Sequence, residues 1–149
     1  MMAQILAPAA VLIAWSLIML VWTGLARFPA MKRAGIDIDK RGPGGRGQDL
    51  DGRIEPRAQW KAHNYAHLME QPTLFYAAVI IIALLGAAAG DVLAAWIYVG
   101  LRIVHSLWQS LVNRLPVRFT LFALSTLALA WLTGRALALA LFADPAVLS

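Results

Sequence analysis

Hydrophobic and polar positions fall along this chain in long blocks. Gln4 to Ala26 is apolar apart from Gln4, Ser16 and Thr23, enough for the ~20 residues that a hydrocarbon core requires. No Lys or Arg precedes the run and it exceeds a signal-peptide core, so a retained transmembrane helix is expected. Arg27 to Glu55 is polar and glycine-rich. Pro56 suits a first helical position, and the pattern from there to Ala89 predicts a second helix of about 50 Å, whose first turns project into the headgroup zone. Gly90-Asp91 predicts a helix stop and a new N-cap. A third helix is expected over Val92 to Asn113. Pro116 opens a fourth, which continues to Phe142 before Asp144-Pro145 ends it. Two of the three connections are short, which makes neighbours antiparallel. The expectation is one domain over residues 1–149: an all-α, up-down four-helix integral membrane bundle with helices near 4–26, 56–89, 92–113 and 116–142 and a loop at 27–55.

Composition supports the membrane. Hydrophobic residues make up 60% of the 149 and charged residues 14%, with a mean hydropathy of +0.67. A soluble domain carries roughly a quarter charged residues. There is no cysteine, which excludes disulfides, thiolate metal sites and a cysteine nucleophile. The net charge of +5 does not call for nucleic acid, because eight of the thirteen Lys and Arg residues lie between Arg27 and Arg57. Lys61, Arg114 and Arg118 fall on the same side of the expected membrane. The positive-inside rule then puts the 27–55 loop in the cytoplasm and both termini outside, with the basic excess an attraction for anionic lipid or ligands.

The loop's own motifs are weak. Its run GPGGRGQDLDGR (Gly42 to Arg53) has glycines, but no strand precedes them and the Gly-Lys-Ser/Thr ending of a phosphate loop is missing. Asp37, Asp39, Asp49 and Asp51 lack calcium-loop spacing. A mobile connecting loop is expected. The tryptophans near the predicted interfaces fit an aromatic belt, and Gly86 to Ala89 permit close helix packing.

The candidate chemistry lies where the second helix enters oil. His63, His67 and Glu70 follow at spacings of four and three, which puts them on one helical face. Ionisable groups at that depth mark a functional site by default. On the third helix Arg102, His105, Gln109 and Asn113 make a polar stripe, expected to face the second helix or another subunit. Interhelical hydrogen bonding alone is the plainer explanation for such a stripe. Counting the helical rise from a turn at Gly90 sets Glu70 level with Gln109 and Asn113, His67 with Asn113 and Arg114, and Arg118 at nearly the same height. His105 falls deeper. Arg102 falls about 10 Å from the level of Glu70, a gap that a kink at Pro72, long side chains or a neighbouring chain would close.

These residues carry a family resemblance. Glu70, Pro72 and Phe75 on the second helix, RIVH (Arg102, His105) on the third and NRLPVRF (Arg114, Pro116, Arg118) opening the fourth resemble the MAPEG superfamily, membrane-associated proteins in eicosanoid and glutathione metabolism, in its bacterial type. The likeness covers residues 57–122 and, weakly, the first helix. It implies a homotrimer in a bacterial inner membrane, with glutathione as cosubstrate between neighbouring subunits near the cytoplasmic side. It implies that Glu70 takes the γ-glutamyl amino group, that Arg114 and Arg118 hold carboxylates or stabilise the thiolate, and that His105 lines the site. Guanidinium forks suit carboxylates, and a nearby cation raises the thiolate fraction of a thiol. His63, His67, Gln109, Asn113 and Arg102 complete the expected binding set. A lipophilic electrophile or hydroperoxide would enter from the bilayer.

The departures from the family matter equally. His63 stands where many members have Arg, His67 where they usually have Asn, Gln109 where several have Tyr, and Phe119 where some have Ser. Transferase or peroxidase activity is therefore less firmly implied than glutathione binding, and a noncatalytic MAPEG-like protein is one alternative. Another is a membrane metal site of His63, His67, Glu70 and His105, since histidines at i and i+4 with a carboxylate form a common ligand arrangement. The pattern lacks a second ligand pair, and no metal is expected.

Overall fold

Each apolar block becomes a helix. The computed structural model describes residues 1–40 and 42–142, with α1 over Met2–Arg33, α2 over Pro56–Leu68, α3 over Gln71–Leu85, α4 over Ala89–Leu111 and α5 over Leu115–Leu141. Because α2 and α3 form one interrupted span, 4 segments are long and apolar enough to cross a membrane. No strand occurs among the described residues. The stop expected at Asp144-Pro145 lies outside them. The protein is an all-α, four-helix membrane bundle. α1 runs past the expected end at Ala26, and Lys32 and Arg33 in its last turn complement the negative end of the helix dipole.

The second span is not one continuous helix. Pro72 has no N–H for the Leu68 carbonyl and its ring crowds that oxygen, so the α ladder breaks. The N–H groups of Met69 and Glu70 bond back only three residues, to Ala66 and His67. α3 then starts at Gln71, with Pro72 in its first turn. The two halves also face different neighbours. α2 packs on α1 and α4, whereas α3 packs on α1 and α5.

The turn between the second and third spans sits at Gly86–Ala88, not at Gly90. Gly86 takes a φ of 121°, which glycine adopts without steric cost. Asp91 is not the N-cap; its carboxylate accepts the Ala88 N–H at 3.0 Å, so α4 begins at Ala89 instead of Val92. This small shift has a large effect on register. Each residue by which an antiparallel turn moves counts twice in the pairing. Moving it from Gly90 to Gly86 slides the partners on α4 by about eight residues, or about 12 Å. Accordingly Arg102 Nη2 donates to the His67 carbonyl at 3.1 Å, Asn64 Nδ2 to Ser106 Oγ at 2.6 Å, and Lys61 Nζ to the Ser110 carbonyl at 3.2 Å. His67 is thus level with Arg102 to His105, not with Asn113 and Arg114. The corrected register brings Arg102 level with His67 and closes the expected gap.

The apolar core joins Ile5, Leu12 and Met19 of α1, Phe75, Val79 and Ile82 of α3, Tyr98 and Val99 of α4, and Leu129 and Leu132 of α5. Small residues, Ala78, Ala83, Ala95 and Ala136, let the backbones approach. Phe75 stacks on Tyr98 with ring centroids 4.4 Å apart. Outside, Leu17, Val21, Leu127 and Trp131 are exposed, as expected of helices solvated by lipid. A second cluster of Ala30, Met31, Leu50, Ile54 and Ala58 fastens the long loop onto α1 and α2. That connection is more built than the sequence suggests, because its apolar anchors stand singly among polar residues.

At the end of the bundle shared by Met1 and Ala89, Arg135 of α5 grips Asp91 with Nε and Nη2 at 3.0 and 3.3 Å. The Asp91 side chain is only 2% exposed.

Candidate functional site

The other end carries a cleft of about 190 Å³ lined by His67, His105, Leu115, Arg118, Phe119 and Phe122. Its polar wall comes from α2, α4 and α5, its apolar wall from the first turns of α5. His67 sits at the last turn of α2, with its ring centroid 5.2 Å from His105 and 5.4 Å from Phe122. The helix break lets Glu70 turn back, so that its Oε2 lies 2.9 Å from His67 Nδ1. Arg118 is aimed by the α4–α5 corner. Its Nη1 donates to Asn113 Oδ1 at 2.7 Å, and Asn113 holds a left-handed φ of 56°, which Asn tolerates better than most residues.

Behind the cleft the interior is polar and incompletely paired. Arg102 is fully buried, and beyond its bond to the His67 carbonyl its Nε and Nη1 have no partner among the described residues. His105 Nδ1, Gln109 Oε1, Asn64 Oδ1 and Ser110 Oγ are likewise buried without one. A buried unpaired polar atom costs roughly 1–3 kcal/mol, and such a concentration calls for an explanation beyond packing.

The predicted residues divide into three groups. His67, Glu70, Arg102, His105 and Arg118 come together, with Asn113 attached through Arg118. Gln109 is buried in α4 nearer the helix end, and Arg114 is exposed at the N-cap of α5, where its carbonyl accepts Trp108 Nε1 at 3.2 Å. His63 leaves the group. Its Nε2 lies 2.9 Å from Asp51 of the loop, and Gln59 bonds both Asp51 and Arg27. The hydrogen bonds from Gln59 and then His63 hold the Asp51 carboxyl below the usual carboxylate range. Among the described residues, no three His, Asp or Glu side chains gather as metal ligands, so the four-residue metal arrangement does not form.

Several site residues escaped the sequence reasoning. Ser106 Oγ receives both Asn64 and Trp15, while Gln71 bridges Tyr98 and Thr126 at 3.3 and 2.8 Å. The signal was present: Asn64, His67 and Gln71 repeat at three and four, and Tyr98, Arg102 and Ser106 at four.

Fold and site together define an integral membrane four-helix bundle with a cationic, half-apolar cleft at the loop end. The sequence model of the MAPEG family matches residues 5–138, from the start of α1 to near the end of α5. The chain belongs to the MAPEG family, which sets it broadly among membrane proteins of eicosanoid and glutathione metabolism. No curated protein and no solved structure matches it.

Proposed function

We propose that this protein binds glutathione at the cleft between α2, α4 and α5 and uses it to conjugate or reduce lipophilic substrates. One observation carries this reading: a guanidinium and two imidazoles line a small cleft with Leu115, Phe119 and Phe122, and the Glu70 carboxylate is bonded to one of the imidazoles, that of His67. Such a site suits a charged tripeptide thiol on one side and an apolar co-reactant on the other. Arg118 is the cation for the thiolate, where a positive charge favours the ionised sulfur. Arg114, exposed at the N-cap of α5, takes a glutathione carboxylate. Glu70, exposed and with Oε1 making no hydrogen bond among the described residues, takes the amino group. Arg102, His105, Gln109 and Asn113 back and orient this layer. His63 acts at a distance, by holding the loop through Asp51.

The cleft is open beside Leu115 and Phe119, both exposed, and a homotrimer would cover that side with a neighbouring subunit. The basic loop lies in the cytoplasm and both termini outside, in a bacterial inner membrane.

The test is a calorimetric glutathione titration of the detergent-purified protein, followed by turnover with a generic electrophile and a lipid hydroperoxide. Saturable binding and conjugation or reduction are expected. No binding would remove the proposed function. Binding without turnover would leave a noncatalytic glutathione-binding protein.

A further inference from the structure

We propose that His67 is the base that takes the thiol proton of glutathione, with Glu70 as its positioning partner. This rests on the glutathione reading above and adds a residue with a defined chemical step. His67 is pinned at two points. Its carbonyl is held by Arg102 at 3.1 Å and its Nδ1 by Glu70 at 2.9 Å. A carboxylate on Nδ1 makes that nitrogen the donor and leaves Nε2 with a free lone pair. The same ring lines the cleft with Arg118. An oriented base and a cation thus border one small space.

The groups facing His67 are Glu70 from the turn after α2, Arg102 and His105 from α4, and Arg118 from α5. α1 has no titratable side chain between Met2 and Ala26. His105 is the weaker candidate: it is 1% exposed and its Nδ1 has no partner among the described residues, so none of them fixes its tautomer.

In the step, the S–H bond breaks, the proton passes to Nε2 of His67, and the electron pair stays on sulfur. The imidazolium remains paired with Glu70 and the thiolate with Arg118, so the site's net charge does not change. The proton is stored, ready to be returned to a leaving group or a reduced peroxide oxygen.

The storage can be counted. Glutathione binding is measured by calorimetry in two buffers of different ionisation enthalpy, with thiolate followed by ultraviolet absorbance. In the unaltered protein, thiolate is expected to appear with far less than a full proton released per thiolate. In His67→Asn, which keeps a polar side chain of similar reach, glutathione is expected still to bind. Each thiolate that forms then releases its proton to buffer, and single-turnover conjugation near pH 6.5 slows by about a hundredfold. A full proton released per thiolate in the unaltered protein overturns the proposal without needing any variant. An unchanged thiolate yield and rate in His67→Asn overturns it as well. Failure of the unaltered protein to bind glutathione is a separate result, which overturns the site and this step together.

Discussion

The two ends of the bundle treat buried charge in opposite ways. At the end near the termini, Asp91 is almost wholly buried and fully matched: Arg135 supplies two donors and the Ala88 N–H a third. At the loop end, Arg102 is buried as deeply, yet among the described residues two of its nitrogens have no partner, and neither do atoms of His105, Gln109, Asn64 and Ser110. The first arrangement closes a helix terminus and ties α4 to α5. The second leaves hydrogen-bonding capacity unspent beside an open cleft. Charge at the end near the termini is satisfied within the fold; at the loop end, among the described residues, it is satisfied only in part.

This contrast can be broken at either end. The largest effect is expected for Asp91→Ala, which removes both a helix-start acceptor and the partner of Arg135. Unfolding free energy should fall by about 2 kcal/mol, seen as a lower melting temperature in detergent, while glutathione affinity stays the same. Lost affinity with unchanged melting would reverse the assignment of the two ends. Next come Arg118→Ala and Glu70→Gln, each expected to weaken glutathione binding by about tenfold, or about 1.4 kcal/mol, with little change in melting. Arg102→Met sharpens the comparison further. Replacing an incompletely paired buried charge with an apolar side chain is often neutral or stabilising, so melting should hold or rise. Affinity should still drop by about threefold, ~0.7 kcal/mol. A large fall in stability would show that Arg102 belongs with Asp91 as a structural charge.

The smallest effect concerns the loop. The bonds from Gln59 and His63 keep the Asp51 carboxyl below its ordinary range in the folded protein. Such a group contributes stability above its ordinary value and loses it as pH falls through the folded one. Protection of the 34–55 segment from a protease active in acid should therefore decline below about pH 4. In Asp51→Asn that decline should vanish. An identical decline in the variant would assign it to another carboxyl.

Much of this was legible in the sequence, and for identifiable reasons. The apolar blocks gave the four spans because lipid demands a length and composition that few other environments do. The stripe of Arg102, His105 and Gln109 was visible at helical spacing. The vertical register was not. Gly90 reads as the helix stop and Gly86 as a packing residue, and only the backbone reveals that Gly86 makes the turn; the choice shifts every partner by about two turns. The place of His63 was not legible either, for a different reason. Its spacing from His67 is correct for one face, but its partner Asp51 lies in a segment without periodicity, where nothing in the pattern says which side chain folds back. The break at Pro72 is expected only as a kink, and the meeting of Arg102 with the His67 carbonyl, which also accepts the Glu70 N–H, depends on the corrected register.

Asn113 shows how tightly aim and chain path are joined here. The same residue bends the backbone into the left-handed region between α4 and α5 and offers its side-chain oxygen to Arg118. A glycine in its place would ease the corner and release the guanidinium; an alanine would strain the corner and release it too. Selection for a sturdier protein and selection for a better-aimed cation would therefore favour different residues at one position. An asparagine satisfies both demands in part, a compromise visible only when the corner and the cleft are considered together.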